Sequence, residues 1–310
     1  MFSKLKSFLQ AAAFVTALFS LATFADHIHR YLELFSHFRL QYFLAAAILA
    51  MLLFVARSRR WAAMMLLLSI INAVPVVSWY MLDSEAATTP TPSFRLILSN
   101  IYAGNDSTQT LLDLVKNERA DILFLQEVTG QHSEELAVLN EDYPYSLKIP
   151  RQDNFGIAVI SRWPFENARI VESPPYQYPT LVVELVIYGK PVTFVTTHPT
   201  PPLGDVGYDA RNIQLTNVAE LLNAHQGARV LIGDLNTTMW GQNYDELIEA
   251  TGLVNARHGF GILPSWPTNM PFAMIPIDHC LVSEELTVKD VRTGPNIGSD
   301  HLPLIVELGL

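Results

Sequence analysis

The sequence predicts an α/β domain that follows about three membrane-spanning helices. Three long uncharged runs lie within residues 1–82, and after them short apolar segments bounded by Pro, Gly or Asn alternate with helical patterns. These apolar segments also end in polar residues. Residues 230–232, for example, stop at Gly233 and lead into Asp234 and Asn236. Because residues two apart in an extended chain point the same way, both side chains reach one site.

The uncharged runs of the membrane region cover residues 7–25, 40–56 and 61–82. At ~1.5 Å of rise per residue, each is long enough, or nearly so, for a hydrocarbon layer of ~30 Å, and the second is the least secure. A cleavable signal peptide is the alternative for the first run, because Lys4 and Lys6 precede it and small residues end it. Two further runs follow, which favours a membrane span.

Basic residues indicate the orientation of these spans. They stand before the first run and between the second and third runs: Lys4, Lys6, Arg57, Arg59 and Arg60. Such clusters favour the cytoplasmic side, so residues 26–39 and the chain after residue 82 are expected outside the cytoplasm of a multi-pass cell-membrane protein. The histidines of residues 26–39 could bind a metal, but a short interfacial loop is the stronger interpretation. Residues 83–93, with the run TTPTP, predict an extended tether.

The net charge of the chain indicates which classes of partner it can bind. Residues 83–310 hold 28 acidic and 13 basic residues, a net charge of −15. This sign disfavours a long nucleic acid, although a local basic patch would still admit one. An acidic surface favours small, membrane-borne or cation-escorted substrates. The single cysteine, Cys280, excludes an internal disulfide and therefore gives no indication of compartment.

Strand and helix patterns alternate through residues 94–310. The predicted strands cover residues 94–99, 121–126, 145–149, 156–161, 181–188, 191–197, 230–232, 277–282 and 286–291, and a last strand that Asp300 and His301 enter. The predicted helices cover residues 107–118, 131–139, 209–224 and 244–250, with Ser107 as the N-cap of the first. The pair Gly189-Lys190 predicts a tight hairpin.

Eight polar residues stand where these strands begin or end: Asn100, Glu127, His198, Asp234, Asn236, Asp278, Asp300 and His301. Each alone could be a turn residue, a helix cap or a solvated loop residue. Together they predict a ligand site, because open sheets bind ligands in the crevice at their strand ends. Carboxylate and amide oxygens without cysteine favour a hard ion, Mg²⁺ or Mn²⁺, over zinc. Such an ion assists phosphoryl chemistry.

Five short motifs follow one another along the chain: LQEV (125–128), TTHP (196–199), GDLN (233–236), IDH (277–279) and SDHLP (299–303). The ordered set resembles the endonuclease/exonuclease/phosphatase superfamily, which has the DNase I-like fold. The likeness covers nearly all of residues 94–310, the expected catalytic domain. It implies a four-layer α/β/β/α sandwich, in which two central sheets pack face to face with helices outside.

The resemblance also implies roles for individual residues. Glu127 would be the metal ligand, with Asn100 beside it. Asn236 would hold the phosphate, and Asp234 would align the attacking water.

Two histidines complete the implied site. His198 and His301 would flank the scissile phosphate as acid, base or charge stabiliser. Asp278 and Asp300 would orient them, and the division of labour between the histidines stays open.

Several further residues are weaker candidates for substrate contact. Asn105 and Asn154 could touch the substrate, with turn formation as the alternative for each. Arg211 could bind a phosphate from the start of its helix, with a surface salt bridge as the alternative. Trp240 and Trp266 could meet lipid or a headgroup, or simply pack in the core.

The spans that precede the domain resemble the membrane-anchored branch of the superfamily, which includes teicoplanin-resistance-associated membrane phosphatases. The expected function is a membrane-anchored, divalent-metal-dependent hydrolase of phosphoric esters or anhydrides. Its expected partners are the membrane and a phosphate-bearing substrate, a class that includes lipid-linked phosphates and pyrophosphates. Two alternatives stay open: a cell-surface nuclease or nucleotide phosphodiesterase, and an inactive binding or sensor module on the same fold.

Overall fold

A computed structural model describes residues 2–81 and 91–310. Residues 2–81 form α1 (Phe2–Ala22), α2 (Arg30–Ser36), α3 (Arg39–Val55) and α4 (Arg59–Val77). Short 3-10 segments extend α1 to Ala25 and α4 to Tyr80. The long helices pack on one another through small and apolar side chains such as Ala13, Ala46 and Met65. Small side chains let the helix backbones approach closely.

Two segments are long and apolar enough to cross a membrane: Ser3–Ala25 and Arg59–Tyr80. Helices α2 and α3 also pass this test together, but they are bent by 62° at their junction. The number of candidate spans is therefore two, or three if the bent pair is one span. The second span predicted from the sequence, residues 40–56, coincides with α3. Most of the predicted tether falls in residues 82–90, outside the described residues.

Residues 91–310 form twelve strands and four further α-helices. The strands are β1 (Ser93–Asn100), β2 (Ile122–Gln126), β3 (Tyr145–Ile149), β4 (Ile157–Ser161), β5 (Phe165–Ser173), β6 (Tyr178–Ile187), β7 (Lys190–Thr197), β8 (Ala228–Asp234), β9 (Val254–Asn255), β10 (Asp278–Val282), β11 (Thr287–Thr293) and β12 (Leu304–Gly309). The helices are α5 (Gln109–Glu118), α6 (Gly130–Glu135), α7 (Gly204–Asn223) and α8 (Gln242–Thr251).

The strands make two six-stranded sheets, in the orders β11-β12-β1-β2-β4-β3 and β5-β6-β7-β8-β10-β9. Side chains of both sheets, among them Phe94 and Phe194, fill one core between them. Leu111 of α5 packs on the outer face of the first sheet. Leu215 of α7 and Leu247 of α8 pack on the outer face of the second. The predicted four-layer α/β/β/α sandwich is confirmed.

Strand register brings the polar strand ends to one edge of the sandwich. β1 and β2 are parallel, with Asn100 beside Gln126, so Glu127 leaves β2 next to the end of β1. β10 is antiparallel to β8 and pairs Asp278 directly with Asp234. β7 is parallel to β8, so the residues that follow β7 emerge beside the end of β8. Carboxyl ends of parallel strands and the amino ends of their antiparallel neighbours thus meet.

Some sequence-based predictions of elements are wrong. β5 was not predicted, because it is an edge strand whose mostly exposed residues show no apolar alternation. α7 begins at Gly204, well before residue 209. Thr108 rather than Ser107 occupies the N-cap position of α5. His301 and its neighbour Asp300 lie in the loop before β12, since Pro303 lacks the N–H that strand pairing needs.

The N-terminal helices pack directly on the sandwich. The Trp240 indole N–H donates to the carbonyl of Pro75 in α4 at 3.1 Å. The carbonyl of Trp79 accepts from the backbone N–H groups of Gly259 and Gly261. Residues 26–39, predicted as a short loop, contain α2, whose Glu33 is buried. The uncharged runs of the sequence did not predict this contact between the N-terminal helices and the sandwich.

Candidate active site

Asp234 lies at the centre of the polar strand ends. It is the last residue of β8 and is 1% exposed. Its Oδ2 lies 3.4 Å from His198 Nε2 and 3.7 Å from His301 Nε2. The amide of Asn100 approaches the same oxygen at 3.3 Å. One carboxylate therefore lies between two imidazoles, although these residues are far apart in the sequence.

His301 is held in a fixed orientation by Asp278. Its Nδ1 lies 2.9 Å from Asp278 Oδ2. An ionised carboxylate only accepts hydrogen bonds, so Nδ1 carries the hydrogen and Nε2 faces Asp234. Ser299 fixes the loop, because its hydroxyl donates to the Asn100 carbonyl at 2.8 Å and accepts the His301 N–H at 3.0 Å. Asp278 and His301 thus form a carboxylate–imidazole pair with one imidazole edge open to the site.

Glu127 leaves β2 in the left-handed backbone region, with φ of +59°. This turn directs its carboxylate toward β1, where Oε1 accepts from Asn100 Nδ2 at 3.0 Å. Its Oε2 accepts from the N–H of Ala103 at 2.9 Å. Asn100 Oδ1 accepts from the N–H of Tyr102, so the amide NH₂ of Asn100 points at Glu127 and Asp234. Asn100 therefore links two carboxylates that otherwise repel each other.

Asn236 forms a turn at the end of β8, also in the left-handed region, with φ of +50°. Its N–H donates to Asp234 Oδ1 at 2.9 Å, which is an Asx-type turn. Its side-chain amide donates to the carbonyl of Pro199 at 2.9 Å. The guanidinium of Arg211 donates to the backbone carbonyl of Asn236 at 3.2 Å. The turn role and the site role of Asn236 therefore coexist in one residue.

Burial and charge compete in setting the pKa of each titratable group. Burial alone would lower the pKa of His301, but the charge and hydrogen bond of Asp278 raise it to about 9. Burial acts the same way on His198, whose pKa is raised by its hydrogen bond to Asp234. Burial would raise the pKa of Asp234, yet the His198 hydrogen bond and the His301 charge lower it to about 2. The cluster therefore pairs a carboxylate with cationic imidazole at neutral pH.

A cavity of about 540 Å³ opens over this cluster, within the usual size range of ligand pockets. Residues of the cluster line one part of it: Glu127, His198, Asp234, Asn236, Asp300 and His301. Asn154, a weaker candidate, also lines the cavity. So does Trp266, whose indole N–H donates to Asp300 Oδ2 at 3.0 Å.

The donor set fits a divalent cation. Asp234, Asp278 and His301 each offer a ligand atom, and these atoms lie within 4.8 Å of one another. In addition, Oδ1 of Asp278 and Oδ1 of Asp300 are buried without a hydrogen-bond partner among the described residues. Buried carboxylate oxygens are costly unless a cation or water satisfies them. Oxygen-rich sites of this kind suit hard ions.

Two of the weaker candidates lie elsewhere. The Asn105 side chain donates to the carbonyl of Ile297 and accepts the N–H of Ser107, which is the turn role. Arg211 is fully buried, and its guanidinium is bound to Glu33. The structure therefore does not bring Arg211 to the cavity, and its salt bridge is buried rather than on the surface. This partner could not be inferred, since Glu33 lies in the N-terminal helix α2, 178 positions away in the sequence.

Sequence reasoning missed two residues that support the site. Gln126 accepts from the N–H of Asp234 at 2.8 Å and donates to the carbonyl of Thr197 at 2.6 Å, so it joins the two sheets. His279 bonds to the carbonyl of Thr237, and burial lowers its pKa to about 3, so it stays neutral. Gln126 lies within the motif LQEV and His279 lies within the motif IDH. Their position in these motifs was the feature of the sequence that could have indicated their role.

Comparison with known families agrees with this geometry. A model of the endonuclease/exonuclease/phosphatase family matches residues 97–301. The chain belongs to this family. All eight polar strand-end residues fall within the matched range. A comparison with curated proteins finds no match for this endonuclease/exonuclease/phosphatase family protein.

Several solved structures share the fold of this family member. D. rerio TDP2 complexed with a single-strand DNA product has a TM-score of 0.59 at 15% identity, and the match covers 70% of this chain and 99% of that one. A family member from Beutenbergia cavernae has a TM-score of 0.57 at 19% identity, covering 70% and 72%. Sphingomyelinase C from Streptomyces griseocarneus has a TM-score of 0.54 at 18% identity, covering 70% and 99%. These likenesses show the fold alone.

Proposed function

We propose that the protein is a membrane-anchored, divalent-metal-dependent hydrolase of phosphoric esters or anhydrides whose substrate is carried by the membrane. The observation that carries the proposal is the position of Asp234 between His198 and His301 at the open edge of the sandwich. Family membership supports the reaction class, because members of the family are phosphoester hydrolases. The buried, unpartnered carboxylate oxygens support a metal.

In this proposal Glu127 would hold Mg²⁺ or Mn²⁺, and Asn100, whose amide NH₂ donates to the Glu127 carboxylate, would position that ligand. When bound, the ion would polarise the phosphoryl group and offset the charge that develops on its oxygens. Asp234, with its pKa lowered to about 2, stays ionised and accepts a hydrogen bond from the attacking water. The Asn236 amide has one hydrogen free after its bond to Pro199, and this hydrogen donates to a phosphate oxygen.

The two histidines handle charge and protons on either side of the phosphate. His301, held by Asp278, is cationic at neutral pH and stabilises a negatively charged oxygen. His198 faces Asp234 through Nε2, and its buried Nδ1 has no hydrogen-bond partner among the described residues. Either imidazolium is placed to give a proton to the leaving oxygen.

The proposed location is the extracytoplasmic side of the cell membrane. α2 follows the candidate span α1, forms the first half of the bent pair α2–α3, and packs on the sandwich through Glu33. With three spans, the connection between the first two and the chain after the third share one side, which agrees with this packing. The basic residues beside the other ends of the spans support a cytoplasmic location for that opposite side.

A nuclease is the second candidate, because one similar structure is a complex with single-strand DNA. The net charge of −15 over residues 83–310 weighs against it, since phosphate backbones are held by basic surfaces. An inactive sensor is disfavoured, because each of the eight strand-end positions carries a group that can act on a phosphate.

The full chain, purified in detergent, tests the proposal. It should hydrolyse a lipid-linked phosphate or pyrophosphate with Mg²⁺ or Mn²⁺, stop when a chelator is added, and leave plasmid DNA intact. Cleavage of DNA alone would favour the nuclease. No turnover with metal bound would favour the sensor.

Glu127→Gln gives a matched test of the metal role. It should lower kcat by about 100-fold or more and weaken Mn²⁺ binding, because a neutral amide replaces a charged ligand. Glu284→Gln, on the exposed loop before β11, is the control and should leave both unchanged. Wild-type activity in Glu127→Gln would remove Glu127 from its assigned role.

A further inference from the structure

The cavity over the catalytic cluster has two chemically different ends. Besides the carboxylates, the histidines, Asn154 and Trp266, its lining is apolar: Leu34, Phe155, Pro201, Pro202, Leu203, Ile275 and Ile277; Asp153, which also lines it, is paired with Arg151. A site for a small, water-soluble phosphate needs polar groups around the whole ligand. Here one end offers charge and hydrogen bonds, and the other offers only hydrophobic contact.

Part of the apolar end comes from the membrane region itself. Leu34 belongs to α2, and His37 follows directly after that helix. The His37 ring is fixed by a contact of 3.1 Å between its Nδ1 and the Thr238 hydroxyl. The segment that follows the candidate span α1 and begins the bent pair α2–α3 is therefore a wall of the cavity.

The same end of the cavity lies beside the end of a candidate span. Gln41, in the first turn of α3, donates to the carbonyl of Met274 at 2.8 Å, and Met274 precedes Ile275 in the cavity wall. Exposed apolar side chains continue outward from there, with Phe272 80% exposed. Leu203, at the other rim of the cavity, is 68% exposed. The first turn of α3 thus contacts the chain directly beside an apolar residue of the cavity wall.

We propose that this apolar end, which we name the chain subsite (Leu34, Pro201, Pro202, Leu203, Ile275 and Ile277), binds the hydrocarbon chain of an amphiphilic phosphate next to its phosphate group. The inference rests on the proposed hydrolase function and specifies its substrate class. The chain enters from the bilayer between α2 and the loop that carries Leu203. Its phosphate then reaches Asp234 and the two histidines.

The test compares two substrates with the same phosphate group, one long-chain and one with a short, water-soluble chain. Both are assayed with the full protein in detergent micelles, so that delivery by a bilayer plays no part. Leu203→Asp is the test variant, because Leu203 is exposed and the change leaves the core intact. Val138→Asp is the control, with a side chain 67% exposed on the far side of the sandwich.

Leu203→Asp should lower kcat/KM for the long-chain substrate by about tenfold, since it replaces apolar contact surface of the chain subsite with a charged group. The same variant should change kcat/KM for the short-chain substrate less than twofold. Val138→Asp should change neither. Equal losses on both substrates, or none on the long-chain one, would overturn the chain subsite.

A binding measurement separates this inference from the proposed function. A long-chain alkyl phosphate with a photoreactive group on its chain should label residues 30–37, 199–203 or 275–277, and excess unlabelled long-chain phosphate should prevent this. Inorganic phosphate should not prevent it. Labelling confined to the membrane-exposed faces of α1 and α4 would reject the subsite, whether or not the protein hydrolyses any substrate. Specific labelling without turnover would retain the subsite and reject the hydrolase.

Discussion

Glu33 and Arg211 form a doubly hydrogen-bonded ion pair between the N-terminal helices and the sandwich. The Nη1 and Nη2 atoms of Arg211 lie 2.6 and 2.7 Å from the two oxygens of Glu33. Asn243 donates to the same carboxylate at 3.0 Å. Glu33 is 1% exposed and Arg211 is fully buried. Since Arg211 also donates to the Asn236 carbonyl, the pair connects α2 to the active-site turn.

Glu33→Gln should therefore destabilise the protein and slow catalysis together. Loss of one charge leaves Arg211 buried without its counter-charge, which costs about 3–5 kcal/mol. The thermal unfolding temperature in detergent should fall by several degrees. Asp290→Asn, which breaks the exposed pair with Arg292, is the control and should cost less than about 1 kcal/mol. Equally small losses of stability in both variants would show that the buried pair does not stabilise the contact between α2 and the sandwich.

Removal of residues 1–81 should have a larger effect than loss of this pair alone. The truncated chain would expose Trp240 and the apolar surface that Val76 and Trp79 now cover. It would also leave Arg211 without its partner Glu33. We expect it to aggregate, or to elute as an expanded species in size-exclusion chromatography. Arg211→Met in the truncated chain should partly restore solubility. A monodisperse, fully active truncated chain would contradict the packing described for α2 and α4.

The left-handed backbone of Asn236 allows its side chain to be tested apart from its turn. Asn236→Gly keeps the backbone conformation freely available and removes the amide, whereas Asn236→Ala removes the amide and adds strain of about 1 kcal/mol. Both variants should lose about 100-fold in kcat, because a donor to the phosphate is gone. Only Asn236→Ala should also lower the unfolding temperature. If Asn236→Gly keeps full activity, the amide does not contact the phosphate.

The raised pKa of His301 predicts a pH dependence of stability in chelator. The unfolded histidine titrates near ~6.5, while the folded one is raised to about 9. Its stabilising contribution is thus complete below pH ~6.5 and is lost as pH rises through about 9. The gap between the two pKa values corresponds to about 3 kcal/mol. Unfolding temperatures measured across this range should fall more steeply in the wild type than in Asp278→Asn, and parallel curves would refute the pairing.

Sequence reasoning predicted the sandwich and placed six of the eight strand-end residues at or beside strand ends that the structure retains. Apolar strands followed by polar residues were sufficient, because a buried strand must end where the chain reaches solvent. Asp300 and His301 were the exceptions, since they lie in the loop before β12, where Ser299 rather than strand pairing holds His301. β5 was not predicted, because an exposed edge strand lacks the alternation of apolar and polar residues that a half-buried strand shows.

The contacts between the membrane region and the sandwich could not be predicted. Glu33 and Arg211 are 178 positions apart, and neither stands in a motif. Periodicity identifies which side chains are buried, but it does not identify their partners when both are charged. Arg211 was therefore given as a candidate phosphate contact, with a surface salt bridge as the alternative, whereas its guanidinium joins two parts of the fold through a buried salt bridge.

Gln126 has a consequence for how this site responds to heat or cosolvents. Through its one amide, the strand that carries Glu127 is clamped to the backbone of Asp234 and Thr197 in the opposite sheet. Gly233 allows this close contact, since a Cβ there would lie 2.2 Å from the Thr197 carbonyl oxygen. Any sliding of one layer over the other separates Glu127 from Asp234 before either layer melts. On heating or in cosolvent, activity should therefore be lost before secondary structure is lost. The turnover rate then reports whether the two sheets keep their relative position.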